Sequence, residues 1–259
     1  MKYPKLTLGM IFLGVLIIIA FVVPPLPAQK GISKKDLAQT KGGLNPGELD
    51  KEGGKDLFNK VDGKAKKSCA SCHTKSGPGK SLKGKAATYP KYVGMTKKVQ
   101  SLQTMINYCR VNALKAKKYN LKKDKMMQMV TYIKSLSNGK RVNVKVKHPK
   151  EKAALKLGEI VFKQRRGQRN LSCEICHVKE AKKYLRMQIL KKLKGASAHW
   201  PDYRTKKGKT FTIERRFQQC MKNARMSILK IGSPAMIGLE LYVTKLANGK
   251  KIKAPGMVR

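Results

Sequence analysis

Two pentapeptides decide the fold, Cys69-Ala70-Ser71-Cys72-His73 and Cys173-Glu174-Ile175-Cys176-His177. In this spelling two thiols add to the vinyl groups of a haem, and the adjacent imidazole ligates its iron. The chain is therefore read as holding two covalently bound haem c groups. Cys69 and Cys72 attach haem 1, Cys173 and Cys176 attach haem 2, and His73 and His177 each ligate an iron. The two remaining cysteines, Cys109 and Cys220, follow the first cysteine of their motifs by 40 and 47 residues.

Outward from the motifs the chain repeats itself. Phe58 and Phe162 each precede the first motif cysteine by eleven residues, and Tyr132 and Tyr242 follow the lone cysteines by 23 and 22. The strings Tyr132-Ile133-Lys134-Ser135-Leu136-Ser137-Asn138-Gly139-Lys140 and Tyr242-Val243-Thr244-Lys245-Leu246-Ala247-Asn248-Gly249-Lys250 rhyme. Each reads as a helix end followed by a glycine in a left-handed turn. Each half thus predicts a helix with an aromatic, a haem motif, a loop, a helix with a cysteine and a helix with an aromatic. The expected fold is mainly α: two tandem class I cytochrome c-like domains related by duplication, over residues 29–147 and 148–259.

Near the boundary, Val142-Asn143-Val144-Lys145-Val146-Lys147 alternates apolar and polar residues and predicts an extended strap. His148-Pro149 then breaks the chain before a helix near Glu151–Lys163. Residues 29–50 lack periodicity and read as a tether, or an arm over the first domain. The longer second interval between motif and lone cysteine is read as an insertion that includes Gly195–Thr210, with Trp200 packed on haem or core.

The first 28 residues carry Lys2 and Lys5, then the apolar run Leu8–Val23, which Pro24, Pro25 and Pro27 end. They are read as an export signal, with an uncleaved membrane anchor as the alternative. Either places the remainder outside the cytoplasm, in the periplasm, where bacterial haem attachment occurs. The formal charge of the 259 residues is +45, from 59 Lys and Arg against 14 Asp and Glu. These cations are spread along the chain, which favours a wholly cationic surface, as from a lysine-rich proteome or an acidic habitat, over a field that steers acidic partners, anionic lipid or nucleic acid. No nucleic-acid motif is present, and no nucleic-acid partner is expected.

Each iron needs a second axial ligand or an open position. Only His148 and His199 remain among histidines, and neither occupies a repeated position. Methionine is the common sixth ligand of simple carriers. Met105, Met126, Met127, Met129, Met221, Met226 and Met236 fit helix faces, yet none forms a pair that matches the repeat as Cys109 and Cys220 do. Methionine is also a common core filler. Cys109 and Cys220 therefore lead as axial ligands of haem 1 and haem 2, where thiolate stabilises ferric iron. A disulfide between them is the third reading an oxidising compartment permits.

Further strings carry a family resemblance over about Gly53 to Arg259: Ile106-Asn107-Tyr108-Cys109-Arg110, Trp200-Pro201-Asp202-Tyr203-Arg204 and Arg215-Arg216-Phe217-Gln218-Gln219-Cys220, with Gly238-Leu239-Glu240-Leu241-Tyr242 and Ala254-Pro255-Gly256-Met257-Val258-Arg259. On these strings the chain resembles the SoxA family, dihaem cytochrome subunits of the SoxAX complex of bacterial sulfur oxidation. The resemblance implies an L-cysteine S-thiosulfotransferase that joins thiosulfate to a cysteine of the SoxYZ carrier and passes electrons to a SoxX-type monohaem cytochrome. It implies that Cys220 is the reactive cysteine, able to carry sulfur as a persulfide, and that Arg216 binds substrate. Residues four apart share one helix face, which places that guanidinium beside the sulfur. The competing readings are a plain dihaem electron carrier with His/Met ligation and a subunit that tethers a soluble cytochrome to the membrane.

Overall fold

The computed structural model describes residues 44–185 and 188–258; the segment read as signal or anchor, residues 1–28, lies outside them. Among the described residues no helix is long and apolar enough to cross a membrane. The first half runs through α1 (Gly47–Asn59), the motif turn α2 (Cys69–Cys72), α3 (Leu102–Asn112) and α4 (Asp124–Ser135). The second repeats the plan with α5 (Pro149–Lys163), a π-helical turn at Ile175–Lys179, α6 (Ile213–Asn223) and α7 (Pro234–Lys245). Side chains start these helices by satisfying orphan backbone N–H groups. Ser101 and Thr104 form a reciprocal capping box on α3, while Thr212 and Ser233 cap α6 and α7.

First and last helices of each half cross where a glycine lets them touch. A Cβ on Gly54 would lie 2.1 Å from the Gln128 carbonyl oxygen of α4, and one on Gly158 would lie 1.9 Å from the Gly238 carbonyl oxygen of α7. The predicted aromatic pairs meet near these crossings, with ring centroids 5.3 Å apart for Phe58 and Tyr132 and 5.1 Å for Phe162 and Tyr242. Aromatic pairs at this spacing add to the area they bury.

Between motif and cysteine each half carries a short antiparallel hairpin. In the first, β1 (Lys91–Val93) pairs with β2 (Lys98–Gln100). In the second, β5 (Asp202–Arg204) pairs with β6 (Lys209–Phe211) in the corresponding register. Every residue from Gly84 to Cys109 has its counterpart 111 positions later, from Gly195 to Cys220, with no gap. The insertion expected at Gly195–Thr210 therefore lies earlier. The extra residues fall between His177 and Gly195, where β3 (Tyr184–Leu185) and β4 (Gln188–Ile189) form an added hairpin. Trp200 belongs to the core of the second half, as expected.

The halves share a seam. The predicted strap is extended, and Val142 and Val144 bury beside Ala87, Leu241, Ile252 and Ala254. The Asn248 amide bonds both backbone groups of Val144. A last strand, β7 (Gly256–Val258), pairs in parallel with β5. The start of α1 reaches the second half: the Asn45 amide donates to the Pro255 carbonyl over 2.7 Å, and the Thr210 hydroxyl donates to Asp50. Residues 45–50 are thus bonded to the second half rather than laid as an arm over the first.

Three ionisable groups meet inside this seam. Glu214 is fully buried and accepts from the Gly232 N–H over 2.7 Å. Its carboxyl and the enclosed carboxyl of Glu240 are hydrogen-bonded partners, one supplying the proton, and burial raises both. Burial pushes Glu240 well above the carboxylate range, the charge of Glu214 adding to it, while Lys134 from the first half opposes. Burial also brings Lys134 down to about 8.

Gly158→Ala should force α5 and α7 apart and cost about 1–3 kcal/mol, read as a lower Tm of the haem-loaded protein; an unchanged Tm would refute the close crossing. The fold also binds protons on the coupled pair Glu214 and Glu240 more tightly than the unfolded chain does. That contribution is complete below the ordinary carboxylate pKa and is lost as pH rises through the raised one. Urea unfolding between about pH 4 and 8 should show the loss, and Glu240→Gln should flatten it; an identical pH slope in the variant would remove Glu240 as its source.

Candidate active site

Each motif is a capped turn. The Ser68 hydroxyl accepts from the Ser71 N–H over 3.0 Å, and the Ser172 hydroxyl accepts from the Ile175 N–H over 3.2 Å. The turns present their histidines in one defined tautomer. His73 Nδ1 lies 3.0 Å from the carbonyl oxygens of Gly79 and Lys80, and His177 Nδ1 lies 2.7 Å from that of Lys191. A carbonyl only accepts, so Nδ1 carries the proton and Nε2 keeps its lone pair for a metal. Burial pushes the His177 pKa down; the bond to Lys191 opposes this and the cation of Arg216 adds to it.

No disulfide joins any of the six cysteines. Burial pushes Cys69 up to about 11; Arg110 opposes, and Cys109 and Cys72 add to the rise. Burial likewise pushes Cys173 up to about 11, with Cys220 the next contributor. Cys176 is raised by burial and then by Cys220. Each lone cysteine is therefore within electrostatic reach of both thiols of its own motif. Cys109 and Cys220 are not joined to each other.

The remaining histidines are occupied elsewhere. His148 caps α5 and stacks on Tyr92 at 3.6 Å, and His199 Nδ1 lies 2.7 Å from Asp202 Oδ1. Met126, Met127 and Met129 sit in the first core, and Met221, Met226 and Met236 in the second. Among the described residues no group of three or more His, Cys, Asp or Glu side chains converges on a bare ion. Two thiols beside one lone-pair nitrogen, with a third sulfur nearby on a separate helix, fit instead a thioether-linked porphyrin that spaces its axial ligands.

The surroundings of the two lone cysteines differ in charge. In the first half the Arg110 guanidinium is paired, 2.7 Å from Asp62, and packs 3.5 Å from the Tyr119 ring centroid. By repeat position, Arg166 and Met221 stand in place of Asp62 and Arg110 in the second half. The Nε and Nη2 of Arg166 are enclosed without an acceptor among the described residues. Arg216 lies one turn before Cys220 on α6 and donates from Nη1 to Gln219 Oε1 over 2.8 Å. Arg204 comes from β5, buried at 8% exposure. Burial lowers its pKa, the charge of Arg216 lowers it further, and Asp202 and Cys220 oppose. Sequence reasoning quoted Arg204 only as part of a family string. The gapless repeat marks it, because Val93 holds the matching position.

A family model described as SoxA/TsdA, cytochrome c domain, matches residues 53–142 and 157–252. The chain is 35% identical to the L-cysteine S-thiosulfotransferase subunit SoxA of Hydrogenobacter thermophilus, over 90% of each chain. It is 36% identical to the protein of the same name from Chlorobaculum tepidum, over 81% of this chain and 71% of that one. The crystal structure of SoxXA from P. pantotrophus superposes with a TM-score of 0.76 at 30% identity, covering 83% of this chain and 79% of that one.

Replacing Cys173 and Cys176 together with alanine should leave a chain carrying one haem fewer than the parent by intact mass. A mass difference of no haem would dismiss the second motif as an attachment site.

Proposed function

The chain belongs to the SoxA/TsdA cytochrome c family, and on that premise we propose that it is a dihaem L-cysteine S-thiosulfotransferase with its active site at Cys220. Cys69 and Cys72 would hold one haem by thioether bonds, and His73 and Cys109 would ligate its iron. Cys173 and Cys176 would hold the other, whose iron His177 and Cys220 would ligate. The partners are a SoxX-type monohaem cytochrome, which forms a heterodimer with this chain, and the SoxYZ carrier. The site of action is the periplasm, with residues 1–28 as export signal or anchor.

The observation that supports this reading is the position of Cys220. It lies one turn after Arg216 on α6, and its charge adds to the rise that burial imposes on the Cys173 and Cys176 thiols. Overall, a carrier cysteine thiol and thiosulfate give a cysteine S-thiosulfonate, one proton and two electrons. A bond forms between the carrier sulfur and the outer sulfur of thiosulfate, the S–H bond breaks, and the electrons leave one at a time to the SoxX-type cytochrome. The bound haem supplies a one-electron acceptor beside the reacting sulfurs. Cys220 presents its sulfur, as thiolate or persulfide, to the incoming anion. Arg216 binds thiosulfate by charge-assisted hydrogen bonds. The Lys191 carbonyl holds His177 in one tautomer, which leaves Nε2 free to ligate an iron.

Cys220→Ala should lower conjugation of thiosulfate to the carrier by at least roughly 100-fold, while intact mass still shows two attached haems. Full activity in that variant would end the assignment.

A further inference from the structure

We propose that the β3–β4 hairpin is a peripheral membrane-binding element that seats the second half on an anionic lipid surface. This role lies outside the catalysis at Cys220 and does not depend on it. β3 (Tyr184–Leu185) and β4 (Gln188–Ile189) pair with each other, and neither packs broadly on any other helix or strand among the described residues. The Lys182 N–H donates to the Leu190 carbonyl over 2.7 Å and the Leu190 N–H to the Lys183 carbonyl over 2.9 Å, which continues the ladder. The large apolar side chains of this ribbon face solvent. Tyr184 is 72% exposed, Leu185 55% and Ile189 50%, and Val178, just before the hairpin, is 57% exposed. Bare apolar side chains gathered on a two-stranded ribbon mark a surface that something covers.

Register and charge select the occupant. Tyr184 and Ile189 are paired across the hairpin, so their side chains share one face, while Leu185 leaves by the other. A protein partner that docks on one face leaves the other wet; a fluid headgroup boundary encloses both. Lys179, Lys182, Lys183, Lys191, Lys192 and Lys194 flank the strands and are exposed. Glu180 is the one acid between Val178 and Lys194, and it is paired with Lys183 Nζ at 2.5 Å. Aliphatic groups, a tyrosine and a frame of ammonium groups match the layers of an anionic interface: acyl chains, headgroup level and phosphates. The first half shows that the haem motif does not require these residues. Its corresponding interval, residues 74–83, has no strand and no exposed large apolar side chain. The hairpin is fixed to the second motif at its base, where the Lys191 carbonyl accepts from His177 Nδ1 over 2.7 Å. Contact through it therefore orients the second half against the surface.

The test floats the haem-loaded chain, alone and in complex with its SoxX-type partner, with vesicles of phosphatidylcholine or of phosphatidylcholine mixed with phosphatidylglycerol. Parent protein should float with the phosphatidylglycerol vesicles, less so as salt is raised, and should not float with phosphatidylcholine alone. Two variants are compared with it: one combines Tyr184→Ser, Leu185→Ser and Ile189→Ser, the other Lys182→Glu and Lys192→Glu. Each should weaken binding by roughly 10-fold or more, with haem content by intact mass unchanged. In the parent, phosphatidylglycerol vesicles should slow hydrogen exchange in the peptide that covers β3 and β4, a readout that decides the matter even where a variant misfolds. Binding that neither variant reduces, as attachment through residues 1–28 or through the general cationic surface gives, overturns the proposal. So does unaltered exchange in that peptide. Loss of assembly with the SoxX-type partner in the apolar variant, with vesicle binding intact, assigns the hairpin to a protein contact and overturns it as well.

Discussion

Close approach of two helices through missing side chains is the constraint on which each site depends. At Gly54 and at Gly158 the facing carbonyl lies where a β-carbon would have to be. That contact sets the spacing between the first and last helices of each half and brings Phe58 to Tyr132 and Phe162 to Tyr242. The motif turn hangs from the end of the first helix, and the cysteine helix packs beside the last. The separation between a motif and its lone cysteine is therefore set by packed helices rather than by the loops that join them.

Much of this was legible in the chain because it repeats. Cys-x-x-Cys-His, the aromatic spacings and the Asn-Gly helix ends carry their signal within a few residues of sequence. The strap at Val142–Lys147 announced itself by alternation. The misplaced insertion shows where such reading stops. The lengths of 40 and 47 residues reveal that something was added, but only pairing in space shows that β5–β6 is the shared hairpin and β3–β4 the addition. The contact of Asp50 with Thr210 had no local signal, since its members lie 160 residues apart. The structural roles of His148 and His199 likewise depend on Tyr92 and Asp202, which their own neighbourhoods in sequence do not rank above other partners.

The charge balance of the surface differs from that of the composition. Only 14 acidic residues oppose 59 basic ones, and several acids are turned inward. Asp50, Glu151, Asp202 and Glu214 are buried, each fixing a contact between elements or halves. Acids withdrawn from the surface leave it more uniformly cationic than their number suggests. Such a field raises encounter rates with acidic partners and with anions, and it weakens as salt is added. It selects no particular face, so precise recognition has to come from buried groups that salt screens poorly.

Buried charge is where the two halves part. The first half neutralises its enclosed arginine internally, Arg110 being bonded to Asp62 and stacked on Tyr119. The second half has an arginine where that acid would stand and a methionine where that arginine would stand. It then adds Arg204 and Arg216, where the first half has Val93 and Met105. A scaffold that can close on apolar or paired side chains has therefore been left with cations around one of its two cysteines. The same duplication that explains the architecture thus separates a half whose enclosed arginine is paired from a half whose enclosed arginine nitrogens lack an acceptor among the described residues.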